Sequence, residues 1–161
     1  MNILAKYDVF GWVVLHRQLP AGETLMFHLK FAEQARSWNT VYTKGRATLP
    51  PYPDRVPGMS SKQSTITDAG EFPMTAVEDT EWFCLDAKAN GGALPSQVDP
   101  VVIERGETAT FPQESRLFIG AGAFTAAGRE FAGPKVLLAG TGPLQITAIT
   151  PVYGYNLGAH D

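Results

Sequence analysis

Cysteine is nearly missing from this chain: Cys84 stands alone among 161 residues. One thiol excludes an internal disulfide and the Cys-based zinc clusters, which need several thiolates at close spacing. Histidine is almost as scarce, with only His16, His28 and His160, so a site built on imidazoles has few residues to draw on. Basic runs are absent too; 13 lysines and arginines against 16 acidic residues leave a net charge of −3. Without a basic surface to neutralise phosphates, nucleic acid is not expected as a partner. No apolar stretch approaches the ~18–20 residues of a membrane span. The opening segment, interrupted by Lys6, Asp8 and His16, lacks the layout of a signal peptide. No membrane partner is expected, and folding in a cytoplasm is.

What is present is a chain of short apolar segments cut by turn chemistry. Apolar residues make up 44% and charged residues 18%, enough for a real core and too little charge for a disordered chain. The 16 glycines and 12 prolines punctuate it. The pattern predicts strands at Tyr7–Leu15, Glu23–Phe31, Asn39–Thr43, Thr65–Thr67, Phe72–Val77, Glu81–Ala87, Val101–Ile103, Thr108–Phe111, Arg116–Gly120, Ala123–Ala126, Lys135–Ala139, Leu144–Thr150 and Val152–Leu157. "LPAGE", "DAGE", "NGG", "AAGRE" and "AGTGP" read as the turns between them. Many short strands with Gly/Pro turns predict an all-β barrel or sandwich. The one helical candidate is Phe31–Trp38. Leu49–Ser60, with four prolines in twelve residues, reads as a loop, because proline cannot donate to a sheet ladder. That stiff stretch and the apolar N-terminal segment are the parts expected to cross to a neighbouring copy.

The sequence also repeats. "GETLMF" at Gly22–Phe27 returns as "GETATF" at Gly106–Phe111, and "MTAVEDTEWFCL" at Met74–Leu85 as "ITAITPVYGYNL" at Ile146–Leu157. The offsets, 84 and 72, differ by the length of the proline-rich stretch. The reading is one β-rich domain, 1–161, holding two similar units at roughly 8–87 and 100–158, with a linker at 88–99 and the proline-rich stretch inserted in the first.

"GETLMFHLKFAE", Gly22–Glu33, is close to the first metal-binding motif of the cupin β-barrels. The end of the chain carries the fuller likeness. There the hairpin "GAFTAAG" (Gly122–Gly128) is followed by the extended "PKVLLAG" (Pro134–Gly140) and the final strand "ITAITPVYGY". Arg116–Leu157 thus resembles the second half of a cupin barrel, and is similar to the small cupin-like proteins encoded by tailed bacteriophages. The resemblance implies a cupin-like or jelly-roll fold. It also locates the family's metal ligands, and they are mostly absent here. His28 occupies the first histidine position, but Lys30 follows where a second ligand belongs, and an ammonium opposes a cation. Glu33 falls early. The second unit has "ETATFPQES" at the matching place, and "TGPL" follows Gly140 where a histidine is expected. One His–Glu pair falls short of the three or four ligands such sites use. No residue is therefore assigned a catalytic, cofactor-binding or metal-binding role.

Other residues read the same way. His28 is expected as a hydrogen-bonded strand residue, and Cys84, between aromatic neighbours, as a small core hydrophobe rather than a nucleophile. Glu78, Asp79 and Glu81 read as solvated charges at a hairpin tip. "GAGAFTAAG" and "AGTGP" lack the Lys-Ser/Thr ending of a phosphate loop and read as β-turns. Trp38, Tyr42, Tyr52, Trp82, Tyr153 and Tyr155 are expected mostly in core or interfaces, where large rings bury most area.

Three functions stay open on this basis. The first is a non-enzymatic structural protein of a phage particle, an accessory or connector of the tail or fibre apparatus. It would be located in the virion, homo-oligomeric, and joined to other virion structural proteins. The second is a carbohydrate- or receptor-binding β-module. The third is a metal-dependent cupin enzyme using His28 and Glu33.

Overall fold

The computed structural model describes residues 1–29, 39–60, 70–85 and 98–158. All regular structure in them is strand: β1 (Asn2–Val9), β2 (Trp12–Leu19), β3 (Thr24–Leu29), β4 (Thr40–Lys44), β5 (Ala47–Leu49), β6 (Tyr52–Arg55), β7 (Gly70–Ala76), β8 (Thr80–Leu85), β9 (Asp99–Ile103), β10 (Thr108–Phe111), β11 (Arg116–Ala121), β12 (Ala123–Ala126), β13 (Arg129–Ala132), β14 (Lys135–Leu138), β15 (Leu144–Ala148) and β16 (Val152–Asn156). The protein is all-β. Its backbone divides into two compact units, Met1–Asp8 with Val13–Ser96, and Val9–Trp12 with Gln97–Asp161.

The second unit holds two four-stranded antiparallel sheets, ordered β14-β11-β16-β9 and β10-β15-β12-β13. One sheet takes the unit's first, third, sixth and eighth strands and the other takes the rest, which is jelly-roll connectivity. Alternation builds the core between them. Val101, Ile103, Leu117, Ile119 and Val152 come from the first sheet, and Phe124, Ala126, Ile146 and Ala148 from the second. In β12, Phe124 and Ala126 are buried while Thr125 faces outward, so four residues state the pattern. Each large apolar side chain buried this way contributes about 1.5–3 kcal/mol.

The first unit has the sheets β1-β2-β8-β4 and β3-β7-β5-β6. Strand for strand, β2-β8-β4 matches β9-β16-β11, and β3-β7-β5-β6 matches β10-β15-β12-β13. The place of β14 is held by residues 58–60, where Ser60 bridges Val41 and Tyr42 exchanges backbone hydrogen bonds with Gly58 and Met59, both 2.9 Å. Its core is Val13, Leu15, Leu19, Tyr42, Ala47, Leu49, Met74, Ala76, Trp82 and Cys84. Small devices recur as well. Gly22 (φ +86°) and Gly106 (φ +81°) turn the chain with left-handed backbone, their amides donating to the carbonyls of Ala76 and Ala148 at 2.8 Å. On the outer faces of the sheets β3-β7-β5-β6 and β10-β15-β12-β13, threonine hydroxyls meet across the strands: Thr24 with Thr75 at 2.9 Å, and Thr108 with Thr147 at 2.7 Å.

Several expectations need correction. Tyr7–Leu15 is not one strand but parts of a hairpin, β1 and β2. Phe10 and Gly11 (φ 48° and 82°) form its two-residue turn, the left-handed geometry that matches strand twist. The proline-rich stretch is not wholly a loop. Its Tyr52–Arg55 is β6, paired with β5, and Arg55 is only 2% exposed. Pro53 is tolerated because β6 is the outermost strand of its sheet. Nor is that stretch the source of the length difference. Gly22 to Gly45 spans 23 positions against 16 from Gly106 to Gly122, and Gly45 to Ala76 spans 31 against 26 from Gly122 to Ala148. The extra residues are thus split on either side of the β4–β5 corner, and β6 itself has a counterpart in β13. "AAGRE" contains the turn Ala127–Gly128 but also opens β13. The helix Phe31–Trp38, the strand Thr65–Thr67 and most of the linker 88–99 lie outside the described residues.

Candidate functional site

His28 lies in β3, in register with Glu71 of β7; Lys30, Glu33, Trp38 and His160 lie outside the described residues. Among the described residues no three of His, Cys, Asp and Glu gather in a metal-binding group. Cys84 is buried in the first core at 6% exposure, as its neighbours imply. Tyr42, Trp82, Tyr153 and Tyr155 are buried as well, so these four rings present no stacking platform.

Glu81 is the residue the sequence misplaced. Glu78 and Asp79 are exposed in the β7–β8 connection, but Glu81 has entered β8 with its side chain only 16% exposed. Its Oε1 lies 2.9 Å from His16 Nε2 in β2, and its Oε2 lies 3.4 Å from Lys44 Nζ in β4. Pairing creates this cluster: β8 runs between β2 and β4, with Gln18 and Lys44 in register with Glu81. His16 is in register with Phe83 and stacks on its ring, centroids 4.5 Å apart. Burial pulls the His16 pKa below its ordinary value, while the charge of Glu81 and its hydrogen bond push the other way. The net result is a neutral imidazole near pH 7, its Nε2–H donating to Glu81. This is an oriented ring of the kind that serves general bases, but one face of it is covered by Phe83. No local pattern marks His16; only the β2–β8 register brings it to Glu81.

The interior of the first unit holds a second polar group. The Tyr42 hydroxyl donates to Met74 Sδ at 3.8 Å. Burial pushes its pKa up to about 12, with the nearby Arg55 charge working in the opposite direction.

The third feature is an open cleft of about 730 Å³ in the second unit. It is lined by the β12–β13 hairpin, Thr125–Glu130, and by Pro143, Leu144, Gln145 and Thr147 at the start of β15. Register sets its floor: Thr147, Thr125 and Glu130 stand side by side on three adjacent strands.

No protein-family model matches the sequence, and no curated protein does. Solved structures that match this chain include two regulatory subunits of a cAMP-independent protein kinase A. The one from Trypanosoma brucei is 10% identical, with a TM-score of 0.33 over 89% of this chain and 73% of that chain. The one from Trypanosoma cruzi, bound to guanosine, is 11% identical, with a TM-score of 0.32 over 89% of this chain and 70% of that chain.

Proposed function

We propose that the chain is a non-enzymatic structural module of a phage particle, an accessory or connector of the tail or fibre apparatus. In this reading it resides in the virion and joins copies of itself and other virion proteins through its sheet edges. The resemblance of Arg116–Leu157 to phage-encoded cupin-like proteins supports the particle. The interface is carried by β1. This eight-residue strand is added outside β2 at the margin of its sheet, and is exposed along most of its length. Ile3 is 59% and Leu4 46% exposed. An edge strand with two exposed apolar side chains beside its charged Lys6 and Asp8 offers unpaired backbone groups to another chain. Covering the exposed parts of Ile3 and Leu4 is worth about 1 kcal/mol each, on top of the backbone pairing. A second outermost strand, β14, carries Leu138 at 65% exposure and Val136 at 43%.

Native mass spectrometry of the purified protein tests this. The expected result is a closed oligomer that the double variant Ile3→Lys, Leu4→Lys converts to monomer with an unchanged circular dichroism spectrum. A wild-type monomer at about 100 μM, where an ordinary specific interface is occupied, would overturn the reading.

A further inference from the structure

We propose that the cleft between the β12–β13 hairpin and the start of β15 binds a neutral oligosaccharide. Its volume, about 730 Å³, is that of a ligand site, and its lining selects the class. The side chains of Thr125, Arg129, Glu130 and Gln145 make no hydrogen bond or ion pair with any described residue, so a hydroxyl, a guanidinium, a carboxylate and an amide are open to a ligand in one place. Together they supply donors and acceptors in mixed order, which suits vicinal hydroxyls, each of which both donates and accepts. One positive and one negative group leave no net field to favour an anion or a cation. Pro143, Leu144 and Ala127 add apolar surface for the C–H face of a sugar ring. The cleft is open on the outer side of the sheet, which admits an extended chain and does not enclose a small molecule.

The first unit supplies the internal control. There the outer face of the matching sheet, β3-β7-β5-β6, carries Thr48 and Thr75 in register. Two charges there, Arg46 and Asp54, are bound to each other at 2.8 Å, and the hairpin tip is Pro50–Pro51 in place of Ala127–Gly128. Nothing in the β1 edge takes part, so the glycan site and the assembly reading stand or fall separately.

The test is a glycan array carrying neutral and acidic oligosaccharides, followed by amide chemical-shift titration with the best-bound soluble trisaccharide. The expected result is saturable binding of a neutral glycan, with shifts centred on Ala127–Glu130 and Leu144–Thr147. Arg129→Ala with Gln145→Ala should weaken it at least about tenfold, the loss of one or two polar contacts. Thr48→Val should leave it unchanged. The proposal is overturned if no neutral glycan binds, if only acidic glycans bind, or if the shifts fall outside the cleft. Unaltered affinity in the folded double variant would overturn it as well.

Discussion

Substituting alanine for Gly45 should cost far more stability than the same change at Gly22, and the structure says why. Both glycines have left-handed backbone, φ +78° and φ +86°. Holding a residue with a Cβ there costs about 1–2 kcal/mol. The stiffer unfolded chain returns about 0.4–1 kcal/mol. At Gly22 nothing lies within 4 Å of the added carbon, so the net loss should be about 0.5–1 kcal/mol. At Gly45 the added Cβ meets the Asp79 carbonyl oxygen, and lies 2.8 Å from its carbon and 3.0 Å from Thr80 Cα. Those atoms are backbone and cannot rotate away, so the corner between β4 and β5 must shift, at about 1–3 kcal/mol more. The expected total is about 2–4 kcal/mol. The second unit repeats the comparison. Gly122 (φ +105°) abuts Pro151 and Val152, with 2.9 Å to Val152 Cα, while Gly106 (φ +81°) has open space. Urea unfolding of the four variants, followed by tryptophan fluorescence and circular dichroism, reads the differences. If Gly45→Ala and Gly22→Ala lose the same stability to within about 0.5 kcal/mol, the usual margin for independent sites, the close approach is not what requires glycine at the corner.

Two further outcomes follow from the titratable groups. Because burial holds the His16 pKa below its ordinary 6.5, the unfolded chain takes up the proton first as pH falls. The stability this group contributes is complete above about pH 6.5 and is lost below it, at about 1.4 kcal/mol for each tenfold difference in proton affinity. Glu81→Gln removes the carboxylate that favours the imidazolium, so it should lower the His16 pKa further and steepen the acid loss; an NMR titration of the His16 ring reads the pKa directly, and a raised value would refute the assignment. Tyr42 behaves in the opposite sense. Its phenol is held protonated to about pH 12 by burial, so stability should fall as pH rises past the ordinary value of 10.0, and absorbance at alkaline pH should show tyrosine ionisation in wild type that appears only on unfolding and is reduced in Tyr42→Phe.

The strand pattern was legible because its signals are local. Thr108–Phe111 and Ala123–Ala126 appear in the structure with the bounds that alternation and flanking glycines predict. Burial of Cys84, Trp82 and Tyr155 follows from apolar neighbours in the same short segments. The misses have physical causes too. Tyr52–Arg55 was read as loop because of its prolines, but an edge strand uses only half of its backbone groups for pairing, and that exemption is a property of sheet order. Arg129–Ala132 was absorbed into a turn because two charged residues open it, although both are acceptable on an outermost, exposed strand.

Taken alone, then, the sequence determined an all-β chain with its turns, most of its strands and the apolar positions that fill its cores. Side-chain alternation and left-handed turn residues act within a few positions, so they can be read there. The tertiary structure decided which strands share a sheet and which strand lies at an edge. It decided that His16 meets Glu81, and that Thr125, Arg129, Glu130 and Gln145 line one cleft. These depend on hydrogen-bonded register between segments far apart in the chain, and no short window of sequence encodes that register.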